Sequence, residues 1–338
     1  MRPKRLYSSS AKPHCFGKAV ITMHSQKDCN GYFYEFGRLF RGLREALKGR
    51  FMRLLGLLLL FALPAAAVNA VNYNRLAQAA ASVLPELDFA SSNAAQQLLS
   101  ALANASQQSA ADYLLSLLTA FLQCAMFIFA AVFTGEAAAH PNKKPDASVM
   151  AKTIIRRLPA GFLILYLSSF IQSLLLQLSL SVCVMALLLP VIYIALPAAA
   201  LFAFVLTSVS TALVDSYSSV LIASTSLGRV RFMFSLLYSR LLLRGNFIKT
   251  VVYYTIICAV SSIIFALPAA GAAALSLSGS PWAVAGWGAA ALVQTMLAGI
   301  SMCIYTGRML QLEQKNAAAL KQFTFITGNG GSNGDAEN

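Results

Sequence analysis

The sequence predicts an all-α membrane protein: six transmembrane helices with two basic amphipathic helices at the membrane surface. Three observations lead there. The chain is 58% hydrophobic and 11% charged, with a mean hydropathy of +0.66, where a water-soluble domain carries about 25% charged residues. Six apolar runs, 54–71, 113–133, 158–178, 182–206, 250–274 and 282–306, each approach the roughly 20 residues that cross about 30 Å of hydrocarbon. Threading those runs through a bilayer in order places 25 of the 26 Lys and Arg residues on one face.

That face receives twelve cations from 1–53, five from 134–157, five from 207–249 and three from the tail, and the other face has Arg75 alone. Merging the third and fourth runs into one span degrades the split to 17 against 9. Cytoplasmic loops retain Lys and Arg, so both termini are predicted to be cytoplasmic, in a bacterial cytoplasmic membrane. Glu86, Asp88 and Asp112 lie in the long outer loop. The net charge of +14 is spread over membrane-proximal segments, where its partners are anionic lipid headgroups rather than nucleic acid. Other membrane subunits are the second class of partner expected.

The elements follow in order. Residues 1–31 form a polar tail without the apolar core of a cleavable signal, and Met23 is an alternative start because periodic sequence begins after it. His14, Cys15, His24 and Cys29 fit no paired zinc-ligand spacing. Four of the six cysteines, Cys124, Cys183, Cys258 and Cys303, fall within apolar runs and read as small hydrophobes. Residues 32–53 have apolar side chains at 33, 36, 39, 40, 43, 47 and 51, with charges between them. This helical period predicts an in-plane helix whose Arg38, Arg41, Arg44, Lys48, Arg50 and Arg53 reach headgroups. The first span then enters the bilayer, and the outer loop 72–112 is expected to hold short helices around 94–105. After the second, third and fourth spans, 229–249 predicts a second basic amphipathic segment with Arg240, Arg244 and Lys249 at the headgroups. The membrane domain covers about 32–310. The cytoplasmic tail is 311–338, predicted to be disordered from about 328.

Two junctions match. Leu47-Lys48-Gly49-Arg50-Phe51-Met52-Arg53 and Leu243-Arg244-Gly245-Asn246-Phe247-Ile248-Lys249 both read L-[KR]-G-[RN]-F-[MI]-[KR]. Downstream, Phe61-Ala62-Leu63-Pro64 recurs as Phe265-Ala266-Leu267-Pro268. A duplicated module and a shared requirement for Gly at a bend both account for this.

Chemistry is sparse. An ionisable residue at the bilayer centre costs about 2.5–3.5 kcal/mol and persists for function, and the interiors of the six runs contain none. Gln123, Gln172, Gln177 and Gln294 are the larger polar groups there. Asp215 and Glu136 are expected at the inner interface, Asp215 paired with Arg229 or Arg231. Glu136 and His140 share a helix face at i, i+4, with no third ligand evident. No G-x-S-x-G, H-E-x-x-H or P-loop occurs. The sequence thus implies no catalytic residue, cofactor or metal site.

The basic helix entering the first span, the inner loop ending Ile154-Ile155-Arg156-Arg157-Leu158-Pro159, and the fourth span running into Leu213-Val214-Asp215-Ser216 resemble a broad group of six-span bacterial membrane proteins. That group includes the membrane domain attached to glycerophosphoryl diester phosphodiesterases. The resemblance implies the six-span layout over about 32–310. The soluble phosphodiesterase barrel has no counterpart in the sequence, so the resemblance carries neither that activity nor any site residue. Function is read first as a non-enzymatic accessory or interaction protein, because buried charge is absent beside much basic surface. The alternative is a transporter or permease component, motivated by the approximate repeat and the proline-interrupted spans.

Overall fold

A computed structural model describes residues 32–83, 110–140, 147–187, 192–317 and 319–320. The polar tail 1–31, the expected helices near 94–105, Lys143, Lys144, Pro190 and the tail from 321 lie outside those residues. The described residues form eight helices and contain no strand. They are α1 (Tyr32–Leu47), α2 (Phe51–Val83), α3 (Ala110–Ala139), α4 (Ala147–Leu187), α5 (Ile192–Ser226), α6 (Phe232–Leu243), α7 (Phe247–Leu277) and α8 (Ala283–Lys315). Six of them, α2 to α5 with α7 and α8, are long and apolar enough to cross a membrane.

Each of the six is longer than its apolar run, although α5 begins at Ile192, inside the fourth run, whose first residues belong to α4. Helix α2, with 33 residues, reaches about 50 Å at 1.5 Å per residue. Arg75, expected in the outer loop, therefore stands on α2 and pairs with Asp112 in the first turn of α3 at 3.0 Å. The third long helix also ends later than expected: α4 continues to Leu187 rather than breaking near 179–181, because no Gly or Pro lies between 179 and Pro190. Pro64, Pro159 and Pro268 lie inside continuous helices, as is tolerated where neighbouring helices re-satisfy the freed carbonyls.

Helix α8 is the central post. It packs against α1, α2, α3, α5, α6 and α7. From Met302 to Leu310 every residue is buried, and a helix buried all round lies in a core rather than at a lipid face. Small residues permit its close contacts. A Cβ on Gly286 would stand 3.2 Å from the Ala272 backbone of α7, and one on Gly299 3.0 Å from Leu58 of α2. Apolar side chains on the outer faces stay exposed, among them Leu60, Leu63, Leu163, Phe170, Ile263 and Leu267. An apolar exterior of this kind is what a helix bundle presents to hydrocarbon.

The repeated junctions have one structure. Gly49 and Gly245 both take positive φ, 74° and 76°, a conformation open to glycine without a Cβ penalty. The bonds correspond: Arg50 N–H donates to the Leu47 carbonyl and Leu54 N–H to that of Arg50, while Asn246 N–H donates to Leu243 and Thr250 N–H to Asn246. The sequence L-[KR]-G-[RN]-F thus encodes a tight corner twice, from α1 into α2 and from α6 into α7.

The two short helices differ. Helix α1 buries Leu39, Leu43 and Leu47 in the core of the bundle and exposes Arg38, Arg41, Arg44 and Lys48, and Phe40, expected on the apolar face, is exposed as well. Helix α6 departs further from the expected pattern. Of the expected cations only Arg240 lies within it, and its exposed face carries Met233, Phe234, Leu236 and Leu237. The buried face includes Ser235 and Ser239, whose hydroxyls donate to the carbonyls of Phe232 and Ser235. Serines satisfied within their own helix can be buried cheaply, so Ser235 and Ser239 join Tyr238, Leu242 and Leu243 on the buried face while four apolar side chains face outward.

Candidate functional site

Sequence reasoning ended the fourth span at 206, ahead of the Ser- and Thr-rich stretch 207–226. The structure continues α5 as one helix through Ser226. The hydroxyls explain it: Ser216 donates to the Leu213 carbonyl, Ser219 to Asp215, Ser224 to Leu221 and Thr225 to Leu221. Each removes its own polarity from the environment, and the candidate span becomes Leu201–Ser226. Asp215 consequently lies inside that span, about 16 Å from the helix end at 1.5 Å per residue. The sequence reading ended the span before Asp215 and expected that residue at the interface; the candidate span Leu201–Ser226 encloses it.

Three helices meet Asp215. Gln172 of α4 donates its Nε2–H to Oδ1 at 2.9 Å, a full-strength N–H···O distance. On the other oxygen, the Tyr305 hydroxyl of α8 approaches Oδ2 at 3.5 Å and the Cys258 thiol of α7 at 4.0 Å, both long for strong bonds. Cys258 Sγ and the Tyr305 hydroxyl lie 3.5 Å apart. The Tyr254 ring stacks on Tyr305 with centroids 3.8 Å apart, and its hydroxyl lies 3.3 Å from Ser219 Oγ. Gln172, Tyr305, Cys258, Tyr254 and Ser219 are all uncharged donors or acceptors. Among the described residues no cation pairs with Asp215.

The expected pairing with Arg229 or Arg231 fails for a geometric reason. Arg229 lies beyond the end of α5, 14 positions along the chain, and meets Glu313 of α8 at 3.5 Å instead. Glu313 also accepts the Tyr238 hydroxyl of α6. Burial, then the charge of Glu313, push that phenol well above its ordinary value, so Tyr238 serves as a donor. Arg231 is exposed, and Glu136 is exposed in the last turn of α3. The four interface residues singled out by sequence are therefore not one site. Among the described residues no group of three His, Cys, Asp or Glu converges on a metal position.

A second polar centre has no counterpart in the sequence reading, which assigned Arg308 to the tail. It lies on α8 one turn beyond Tyr305 and is 1% exposed. Its guanidinium carbon stands 4.8 Å over the Tyr253 ring of α7, a cation–π distance. Nη1 faces Gln311 Oε1 at 3.3 Å and Glu35 Oε2 of α1 at 3.6 Å. Lys315 meets Glu35 Oε1 at 2.7 Å and Lys249 meets it at 3.9 Å. Burial raises the Glu35 carboxyl, but the hydrogen bond and charge of Lys315, with Arg308 and Lys249, outweigh it and hold the group below its ordinary value. Glu35 lies 273 positions from Arg308, so no local pattern marks the pair. The one hint is Gly307, where a Cβ would stand 3.2 Å from Leu39: its absence lets α1 close on α8.

Of the expected headgroup cations, Arg38, Arg41, Arg44, Lys48, Arg53, Arg240 and Arg244 are exposed. Arg50 instead donates from Nη2 to the His140 carbonyl at 3.0 Å, and Lys249 belongs to the Glu35 cluster. Comparison with protein-family models, curated proteins and solved structures finds no match for the chain.

Proposed function

We propose that this chain is a six-span transporter or permease component of a bacterial cytoplasmic membrane, with both termini cytoplasmic, working through Asp215. One observation carries the reading: a carboxylate inside a span, bridged to α4, α7 and α8 by uncharged groups alone among the described residues. An unpaired carboxylate is too costly to retain in hydrocarbon without use. A proton or a monovalent cation neutralises it there. The surrounding helices α4, α5, α7 and α8 supply the oxygen and thiol groups that exchange with such a guest. This reading displaces the accessory role favoured by composition, whose ground was the lack of buried charge. The likeness to the phosphodiesterase-linked membrane domains adds only the layout.

The test uses the full chain in proteoliposomes. Dicyclohexylcarbodiimide reacts with protonated carboxyls in apolar surroundings, and is expected to modify Asp215 selectively, with sodium or potassium slowing the reaction. A trapped pH dye is expected to report proton or cation flux in wild type and none in Asp215→Asn. Folded protein with no adduct at Asp215, and flux equal in both forms, refutes the reading.

A second reading rests on a different observation. Helix α6 exposes Met233, Phe234, Leu236 and Leu237 between Arg231 and Arg244, and α1 exposes its cations. Such surfaces insert apolar side chains beside anionic headgroups. They suit a protein that organises its lipid surroundings or docks a second membrane subunit.

A further inference from the structure

Arg308 has unused hydrogen-bonding capacity in a place where that is costly. Its Nε and Nη2 are buried and make no hydrogen bond among the described residues. Those two nitrogens form one edge of the guanidinium, the two-pronged edge that matches a carboxylate or phosphate. The other prong, Nη1, is occupied by Gln311 and the approach of Glu35. Tyr253 takes the flat face, which leaves the edge unused. Lys315 holds Glu35 Oε1 at 2.7 Å, while Oε2 lies 3.6 Å from Nη1 and is itself buried without a hydrogen bond among the described residues. Buried charged donors without acceptors are rare in folded proteins. Three cations, Arg308, Lys315 and Lys249, converge on the single carboxylate of Glu35. Lys315 and Lys249 are part-exposed, whereas Arg308 is buried.

We propose that the free edge of Arg308, with the part-exposed Lys315, binds a phosphate group entering at the α8 C-terminal end of the bundle. A lipid phosphodiester and free inorganic phosphate share that chemistry. The site lies one turn of α8 beyond Tyr305 and does not rest on the transport reading.

Two arms distinguish the sources. Full-length protein in phosphatidylcholine nanodiscs is titrated calorimetrically with inorganic phosphate. In parallel, native mass spectrometry follows retention of phosphatidylglycerol from mixed nanodiscs. One phosphate group bound per chain is expected in at least one arm. Retained phosphatidylglycerol without a calorimetric response identifies a headgroup, and the converse identifies free phosphate. Arg308→Gln is expected to weaken binding at least tenfold and Lys315→Gln about threefold. Arg308→Lys keeps the charge but loses the paired edge, and is expected to lose most of the affinity. It carries the test if the Gln variant does not fold. No binding in either arm, which is the outcome if water alone fills the edge, overturns the proposal. So does affinity unchanged in Arg308→Lys.

Discussion

The contact between Gln172 and Asp215 fixes where the carboxylate lies, and a double-mutant cycle measures it. Gln172→Met and Asp215→Leu each remove one partner while keeping comparable volume. The bond is 2.9 Å long, and such a bond contributes about 0.5–1.5 kcal/mol between neutral groups and about 1.5–3 kcal/mol when one is charged. Interhelical bonds in a membrane average about 0.6 kcal/mol and reach about 1.7 kcal/mol, so the expected coupling is close to 1 kcal/mol. Gln172→Met alone leaves a half-buried carboxylate oxygen without its donor and is expected to cost about 1–3 kcal/mol. The double variant is expected near wild-type stability, because removing both partners of a buried polar pair is often neutral. Reversible unfolding in bicelles, followed by steric trapping, supplies the four free energies. Coupling below about 0.3 kcal/mol, the limit of additivity for independent sites, refutes the contact and the placement of Asp215 between helices. A stable double variant that has lost flux assigns the pair to function rather than to folding.

Further expectations follow from other features. The folded Glu35 carboxyl lies below its ordinary 4.5, so its stabilisation is complete above that value and is lost as pH falls through the lower folded value; thermal midpoints from neutral to about pH 3 should show an acid limb that Glu35→Gln flattens. Gly49→Ala and Gly245→Ala meet no atom within 4 Å, so each should cost about 1 kcal/mol through backbone strain alone, as read from unfolding midpoints. At Gly299 an added Cβ meets the flexible ends of Leu58 and Met126, so Ala should be near neutral and Leu should cost about 1–3 kcal/mol. Reporter fusions at Lys152 and Arg244 should fall on one side of the membrane and a fusion at 90 on the other; Lys152 and Arg244 on opposite sides would refute the charge-based topology.

How much of this was legible depended on the reach of each interaction. Hydropathy located all six long helices, since lipid contact and burial both demand apolar side chains over whole turns. The Gly49 and Gly245 corners were readable because a positive φ leaves a local signature. Helix ends were not, since Ser216, Ser219, Ser224 and Thr225 look polar in composition yet satisfy themselves within α5. The candidate site follows from that difference: ending the span at 206 left Asp215 outside it, whereas the candidate span encloses Asp215. A helical run of Ser and Thr continuing past an apolar span was the available signal. The Glu35–Arg308 contact was invisible for another reason, because it depends on how α1 folds back on α8.

The central position of α8 bears on the order of assembly. Its sequence leaves the ribosome after every other long helix, yet α2, α3, α5 and α7 all contact it. Until it arrives, the groove it will fill must be occupied by lipid or by the insertion machinery. The five earlier helices also pack on one another, α4 with α5, α3 with α4 and α5 with α7, so the final insertion fills the centre of a partly assembled bundle.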